Sequence, residues 1–273
     1  MSQILFIVWR ESVEALLVIG ILHAWLNNRD SGMRKGLPWL WLGVGAGLIA
    51  AIGLGAALTG LTNILCGDTQ DYFQTAMLLV ACVLIVQMVL WMRQHSRDLK
   101  QNIEASLSDT WRSANFWGIA VLAALAVARE GSEMVIFLYG LGFGRLAYVD
   151  TMQWLAVLIG LALAFLTFYL LQLGRRIFSW RVFFNITEVM LLFLGAGLFE
   201  TSVDKLIDKE IIPTGIDIVW DISHILDDSS SVGSLVATLT GYRAHVALTN
   251  LIAYALFWLV VWILLRQTRQ RQP

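Results

Sequence analysis

The apolar positions of this chain fall in long unbroken runs, with neither the stripes of a soluble helix nor the alternation of a half-buried strand. A window of about 19 residues, the usual scale for a membrane span, selects seven runs. They lie at roughly 4–26, 38–60, 72–93, 115–141, 152–174, 182–203 and 245–266. As a helix rising ~1.5 Å per residue, each can cross a hydrocarbon layer of about 30 Å. The runs far exceed the ~10-residue strands of a membrane barrel, and backbone in lipid must satisfy its own hydrogen bonds. The pattern predicts an all-α polytopic membrane protein with seven transmembrane helices in one domain over 1–273. Composition agrees: 58% of residues are hydrophobic and only 14% charged, where a soluble domain carries about 25%. Mean hydropathy is +0.70.

The polar connections add an orientation. Cytoplasmic loops carry an excess of Lys and Arg. The first, third and fifth connections and the C-terminal tail hold Arg29, Arg34, Lys35, Arg93, Arg97, Lys100, Arg112, Arg175, Arg176, Arg181, Arg266, Arg269 and Arg271. The second, fourth and sixth hold only Arg145, Lys205, Lys209 and Arg243. The N-terminus is therefore expected outside and the C-terminus in the cytoplasm. Acidic residues sort the other way: Asp68, Asp71, Asp150, Asp204, Asp208, Glu210, Asp217, Asp221, Asp227 and Asp228 fall in outer connections. An acidic outer face concentrates arriving cations, although the need for a soluble loop also accounts for it.

The N-terminus has no basic leader region or small-residue cleavage site, and Arg10 and Glu11 interrupt the apolar segment, so the first run is expected to be a retained span. Cys66 and Cys82 form no paired motif, which speaks against a disulfide framework, an iron–sulfur centre or a zinc site. His23, His95, His224 and His245 show no ligand spacing. The methionines are scattered, and tryptophans gather near span ends as interface anchors.

Two basic residues remain, and both lie inside spans. The first span contains Arg10-Glu11-Ser12-Val13-Glu14 and the fourth contains Arg129-Glu130-Gly131-Ser132-Glu133. Charges at membrane depth cost at least a few kcal/mol each and need a partner or a function. Residues four apart share a helix face, so Arg10 is expected near Glu14 and Arg129 near Glu133. Glu11 and Glu130 lie about 100° round and flank that face. Four glutamates against two arginines leave two negative charges uncompensated if all are ionised. Two such carboxylates in low dielectric take up protons or bind a cation. Carboxylate oxygens suit hard cations, and the missing Cys and His sets argue against copper(I). A purely structural ion-pair network would instead be expected to balance.

The two motifs lie three spans apart. With three spans per unit the second copy is inverted, so the chain is expected to be a 3+3 inverted repeat plus one C-terminal helix. The repeats cover 1–93 and 115–203, followed by an acidic outer loop at 204–244 and the seventh helix at 245–266. Both motifs fall about 9–18 Å from the outer boundary, the midplane location of sites in inverted-repeat transporters. Glu188 and Glu200, both in the sixth span, are further candidates for the two mouths of a pathway, together with Asp217, Asp221, Asp227 and Asp228 in the outer loop. Pairing of Glu188 with Arg181 is the structural alternative.

Two Arg-Glu-x-x-Glu motifs in the first and fourth of seven spans resemble the oxidase-dependent iron transporter family, the high-affinity iron permeases of fungi and bacteria. The similarity extends through Ala15-Leu16-Leu17-Val18-Ile19-Gly20-Ile21-Leu22 after the first motif and Met134-Val135-Ile136-Phe137-Leu138 after the second. Trp220-Asp221-Ile222-Ser223 and Gly241-Tyr242-Arg243-Ala244 are similar to the bacterial members. The resemblance implies iron import across a bacterial inner membrane, with Glu11, Glu14, Glu130 and Glu133 as metal ligands and Arg10 and Arg129 as supporting charge. It also implies external iron oxidation by a separate periplasmic oxidase or delivery protein. Iron is then the transported substrate, and no organic cofactor, nucleic-acid partner or enzymatic activity is expected. Ser12 and Ser132 depart from the residues common at those places. Two alternatives stay open: a proton-coupled transporter of another metal cation, and an intramembrane heme-binding redox subunit using His23 and His245.

Overall fold

The computed structural model describes residues 2–27, 33–65, 67–95, 116–143, 151–173, 180–213, 215, 219–221, 233, 236, 241–242 and 245–270. Seven long helices carry the described fold: α1 (Ser2–Asn27), α2 (Leu37–Ile64), α3 (Asp68–His95), α4 (Phe116–Gly140), α5 (Thr151–Leu173), α6 (Trp180–Asp208) and α7 (Leu248–Gln270). A short 3-10 turn, Met33–Gly36, leads into α2, whose start is set by a proline in the first turn. After α2 the chain turns through Gly67 at φ +61°, a left-handed conformation that glycine adopts without a Cβ penalty. Asp68 and Asp71 then occupy the first turn of α3, where negative charge complements the helix dipole.

Five of these helices (α2, α3, α5, α6 and α7) are long and apolar enough to cross a membrane. The remaining two, α1 and α4, are 26 and 25 residues long, and the apolar run of each is broken by the three charges of its motif. The outside of the bundle is apolar: Ile49, Ile52, Ile64, Leu125, Leu158 and Leu256 are exposed. So much exposed aliphatic surface suits lipid better than water. With the length of the helices, it makes the chain a multi-pass membrane protein.

The helices pack in a definite set of pairs: α2 on α4, α1 on α5, α3 on α6, α1 on α4, α3 on α4, and α7 on α6 and α3. The α2–α4 pair is the closest. A Cβ added at Gly43 would collide with the Ala120 carbonyl oxygen, and one at Gly47 would lie 2.8 Å from that of Ala124. Small residues four apart let two backbones meet where apolar burial gives no driving force against lipid. The main core joins Phe6 and Ile7 of α1, Leu78, Ile85 and Val89 of α3, Phe137 of α4, Leu194 and Leu198 of α6, and Phe257 of α7.

The connection after α6 begins later than the sequence pattern suggested. Helix α6 runs to Asp208, through residues assigned above to the loop, because its polar residues are bonded there. Lys205 Nζ donates to Gln74 Oε1 at 3.1 Å, and Asp204 Oδ1 accepts from Asn250 Nδ2 at 2.6 Å. Just past the helix end, Lys209 meets Asp68 at 2.5 Å and Asp71 at 3.0 Å. Hydrogen bonds to Asp68 and then Asp71 hold its ammonium above the usual lysine range. Helix α7 starts at Leu248, not 245, because His245 and Val246 form strand β2 and pair antiparallel with β1, Trp220–Asp221.

Candidate metal centre

Each motif sits in the middle of an uninterrupted helix, so the backbone is satisfied and only the side chains carry unpaired polarity. On α1, Arg10 is 1% exposed and Glu11 fully buried. Arg10 Nη1 donates to Glu11 Oε1 at 2.6 Å, and Nη2 meets Glu14 Oε1 at 2.5 Å. The i,i+4 neighbour is as expected, while Glu11 comes closer than a flanking position suggested. The long guanidinium fork reaches both carboxylates at once. On α4, Arg129 Nε donates to Glu133 Oε1 at 3.1 Å, and Glu130 lies farther off at 3.9 Å.

The packing of α1 on α4 brings the two motifs together. One carboxylate oxygen from each of Glu11, Glu14 and Glu130 lies within 4.8 Å of the others. Glu133 is outside this trio and stays with Arg129. One oxygen of Glu11, one of Glu130 and one of Glu133 are buried with no hydrogen-bond partner. A buried carboxylate oxygen left unpaired is costly, so the cluster is short of positive charge or protons. Three hard oxygen donors from two helices form a set that suits a divalent cation.

Sequence reasoning overlooked two residues beside this cluster. Met88 and Met92 of α3 are buried, and both sulfur atoms face Arg10: Nη1 lies 2.8 Å from Met88 Sδ and Nη2 lies 3.3 Å from Met92 Sδ. Their spacing of four on one helix was the available signal; viewed as scattered core methionines, they carried none.

Among the described residues, the other candidate positions are not part of the cluster. Glu188 is buried and ion-paired with Arg93 of α3. This partner is on another helix, and the bond ties α6 to α3; the side chain of Arg181, the neighbour suggested by sequence proximity, lies outside the described residues. Glu200 is buried in the C-terminal part of α6, where the Gly241 backbone packs over it. Asp221 lies in β1, paired through its backbone with His245. Asp217, Asp227 and Asp228 lie outside the described residues.

The chain matches the iron permease FTR1 family over residues 1–268. It is 29% identical over 241 residues to a protein of Escherichia coli O6:H1 named ferrous iron permease EfeU, covering 87% of this chain and 85% of that one. A protein of the same name from Shigella sonnei matches equally well. The one from Yersinia pestis is 25% identical over 260 residues, covering 94% and 90%. No solved structure matches. With a match over nearly its whole length, the chain belongs to the iron permease FTR1 family, whose members are transporters of iron and not enzymes.

Proposed function

We propose that this permease imports iron across the bacterial cytoplasmic membrane through a carboxylate site built by the two motifs, with Glu11, Glu14 and Glu130 as ligands. Glu133 completes the acidic set, and Arg10 and Arg129 supply compensating charge. The observation that carries this reading is the convergence of three carboxylate oxygens within 4.8 Å. Ligand oxygens about 2.1 Å from an ion lie up to ~4.2 Å apart, so small side-chain rotations close the set. The ion in the site is Fe2+. Four carboxylates and two guanidinium groups leave a charge of −2, which one divalent cation neutralises. The names of the Escherichia coli and Yersinia pestis relatives point the same way.

The seven helices form the 3+3+1 inverted arrangement with the N-terminus outside. Exchange of α1 with α4, α2 with α5 and α3 with α6 converts the α2–α4 pair into α5–α1, and both are extensive. Gly160 of α5 supports this: a Cβ there would lie 2.9 Å from the Leu5 carbonyl oxygen, echoing Gly43 against Ala120. The equivalence is imperfect, since α3–α4 has no comparable α6–α1 counterpart among the described residues. A separate periplasmic delivery protein supplies the iron as Fe2+, and the acidic outer face gathers it.

The test is radiolabelled iron uptake by purified protein in liposomes, with ascorbate maintaining Fe2+. Glu14→Gln and Glu130→Gln are each expected to abolish uptake while membrane insertion is kept. Normal transport by both variants removes the carboxylate site. Preference for another metal over iron in the wild type supports the proton-coupled alternative, and uptake that needs no added partner removes the need for a delivery protein.

A further inference from the structure

Arg10 is held in an unusual way. In a dry interior a guanidinium has five N–H groups to satisfy, and hydroxyls, amides or carbonyls would do this best. Here each terminal nitrogen lies between one carboxylate oxygen and one thioether sulfur. Nη1 is 2.6 Å from Glu11 Oε1 and 2.8 Å from Met88 Sδ. Nη2 is 2.5 Å from Glu14 Oε1 and 3.3 Å from Met92 Sδ. Nε, also buried, has no partner. Thioether sulfur is a weak acceptor, so as a cradle for an arginine this arrangement is poor. As a ligand set it is better suited: each nitrogen occupies a point from which a small ion would meet a hard oxygen and a soft sulfur after a slight contraction.

We propose that Met88 and Met92 are selectivity-determining residues that offer thioether donors to the ion in transit, and that Arg10 is a tethered cation that yields this position to it. The proposal rests on the carboxylate site above and adds a specificity to it. An arriving ion displaces one terminal nitrogen at a time, while the other keeps its carboxylate. The ion gains one carboxylate, one sulfur and the adjoining Glu130. Carboxylates alone suit magnesium, calcium and manganese, whereas thioethers favour softer metals. A mixed set therefore discriminates for Fe2+ against the harder divalent ions that are usually more abundant. The unbranched methionine side chains can follow the ion, since they adapt their shape at low cost.

The experiment measures Fe2+ uptake in liposomes with Mn2+ and Mg2+ as competitors, for wild type, Met88→Leu, Met92→Leu and the double variant. Leucine keeps the volume and the apolar character, so a packing role would leave the competition ratio where it was. The expected result is a higher apparent KM for Fe2+ and an Fe2+-to-Mn2+ preference lowered roughly tenfold in the double variant, the size one discriminating contact supplies. An unchanged ratio overturns the proposal. Should the variants fail to fold, wild-type sequence carrying selenomethionine serves instead. Its softer donors should raise competition by Cd2+ relative to Mn2+, and an unchanged ratio again overturns the proposal. The carboxylate reading fails separately: it falls if Glu14→Gln and Glu130→Gln both transport normally, whatever the methionine variants do.

Discussion

The two Arg-Glu-x-x-Glu motifs share a pattern and occupy different surroundings. The side chain of Arg10 is 1% exposed and touches two carboxylates and two sulfur atoms. The side chain of Arg129 is 41% exposed, bonds Glu133, and lies 4.5 Å over the ring of Trp91. The adjoining positions follow suit, with Val13 fully buried and Ser132 only half-buried. Both arginines lean on the same helix, α3, but Arg10 meets its methionines and Arg129 its tryptophan. A local pattern thus fixes which groups are present, while the third helix decides how each is used. The carboxylates of both motifs are enclosed, and the two sites differ at the guanidinium: Arg10 is sealed, whereas Arg129 is partly exposed at a depth where a charge needs water or a polar partner.

The largest way to break this comparison is to remove each arginine. Arg10→Met leaves Glu11 and Glu14 buried without compensation, and breaking a buried pair costs about 3–5 kcal/mol. Arg129→Met removes a less enclosed guanidinium that bonds a single carboxylate, Glu133, so a smaller loss is expected. Thermal or denaturant unfolding in detergent should therefore separate the two variants clearly. Equal losses would mean that the two environments do not differ in energy.

A second prediction concerns access. With Cys66 and Cys82 replaced by serine, cysteine is placed at the matched positions Val13 and Ser132. A membrane-impermeant thiol reagent is expected to label Ser132→Cys readily and Val13→Cys slowly or not at all. Equal labelling would show that water reaches both motifs alike. The carboxylates sharpen the comparison further. Glu133 lies outside the trio formed by Glu11, Glu14 and Glu130, so Glu133→Gln should reduce iron uptake without the complete loss expected of Glu14→Gln. Complete loss would place Glu133 among the ligands.

Much of this arrangement is legible in the chain. The seven helices follow the apolar runs closely, because in lipid length and hydropathy nearly determine a helix. Their ends are less legible: α6 continues through Asp204 and Lys205 because Asn250 and Gln74, distant in sequence, receive them. The Arg10–Glu14 contact is read directly from a spacing of four. That Glu130 joins the α1 carboxylates and Glu133 does not is invisible locally, because it depends on how α1 rolls against α4. Glu188 teaches the same lesson, since its partner Arg93 lies on a helix about 95 residues earlier. Likewise, Met88 and Met92 resemble ordinary core residues until Arg10 is placed against them.

The smallest expected effect tests the α4 motif alone. Trp91→Leu keeps an apolar residue on α3 but removes the aromatic face beneath Arg129. A cation over an aromatic ring at a partly exposed site is worth about 0.5–1 kcal/mol, so unfolding should shift little. The guanidinium, however, loses the surface that fixes its plane, and its bond to Glu133 becomes one of several orientations. Iron uptake should then show a raised KM, with a smaller change than in Glu133→Gln. Wild-type KM in Trp91→Leu would mean that Glu133 alone positions Arg129. A loss as large as that of Arg10→Met would mean instead that the α4 motif is as tightly built as the α1 motif, with Trp91 serving it as Met88 and Met92 serve Arg10.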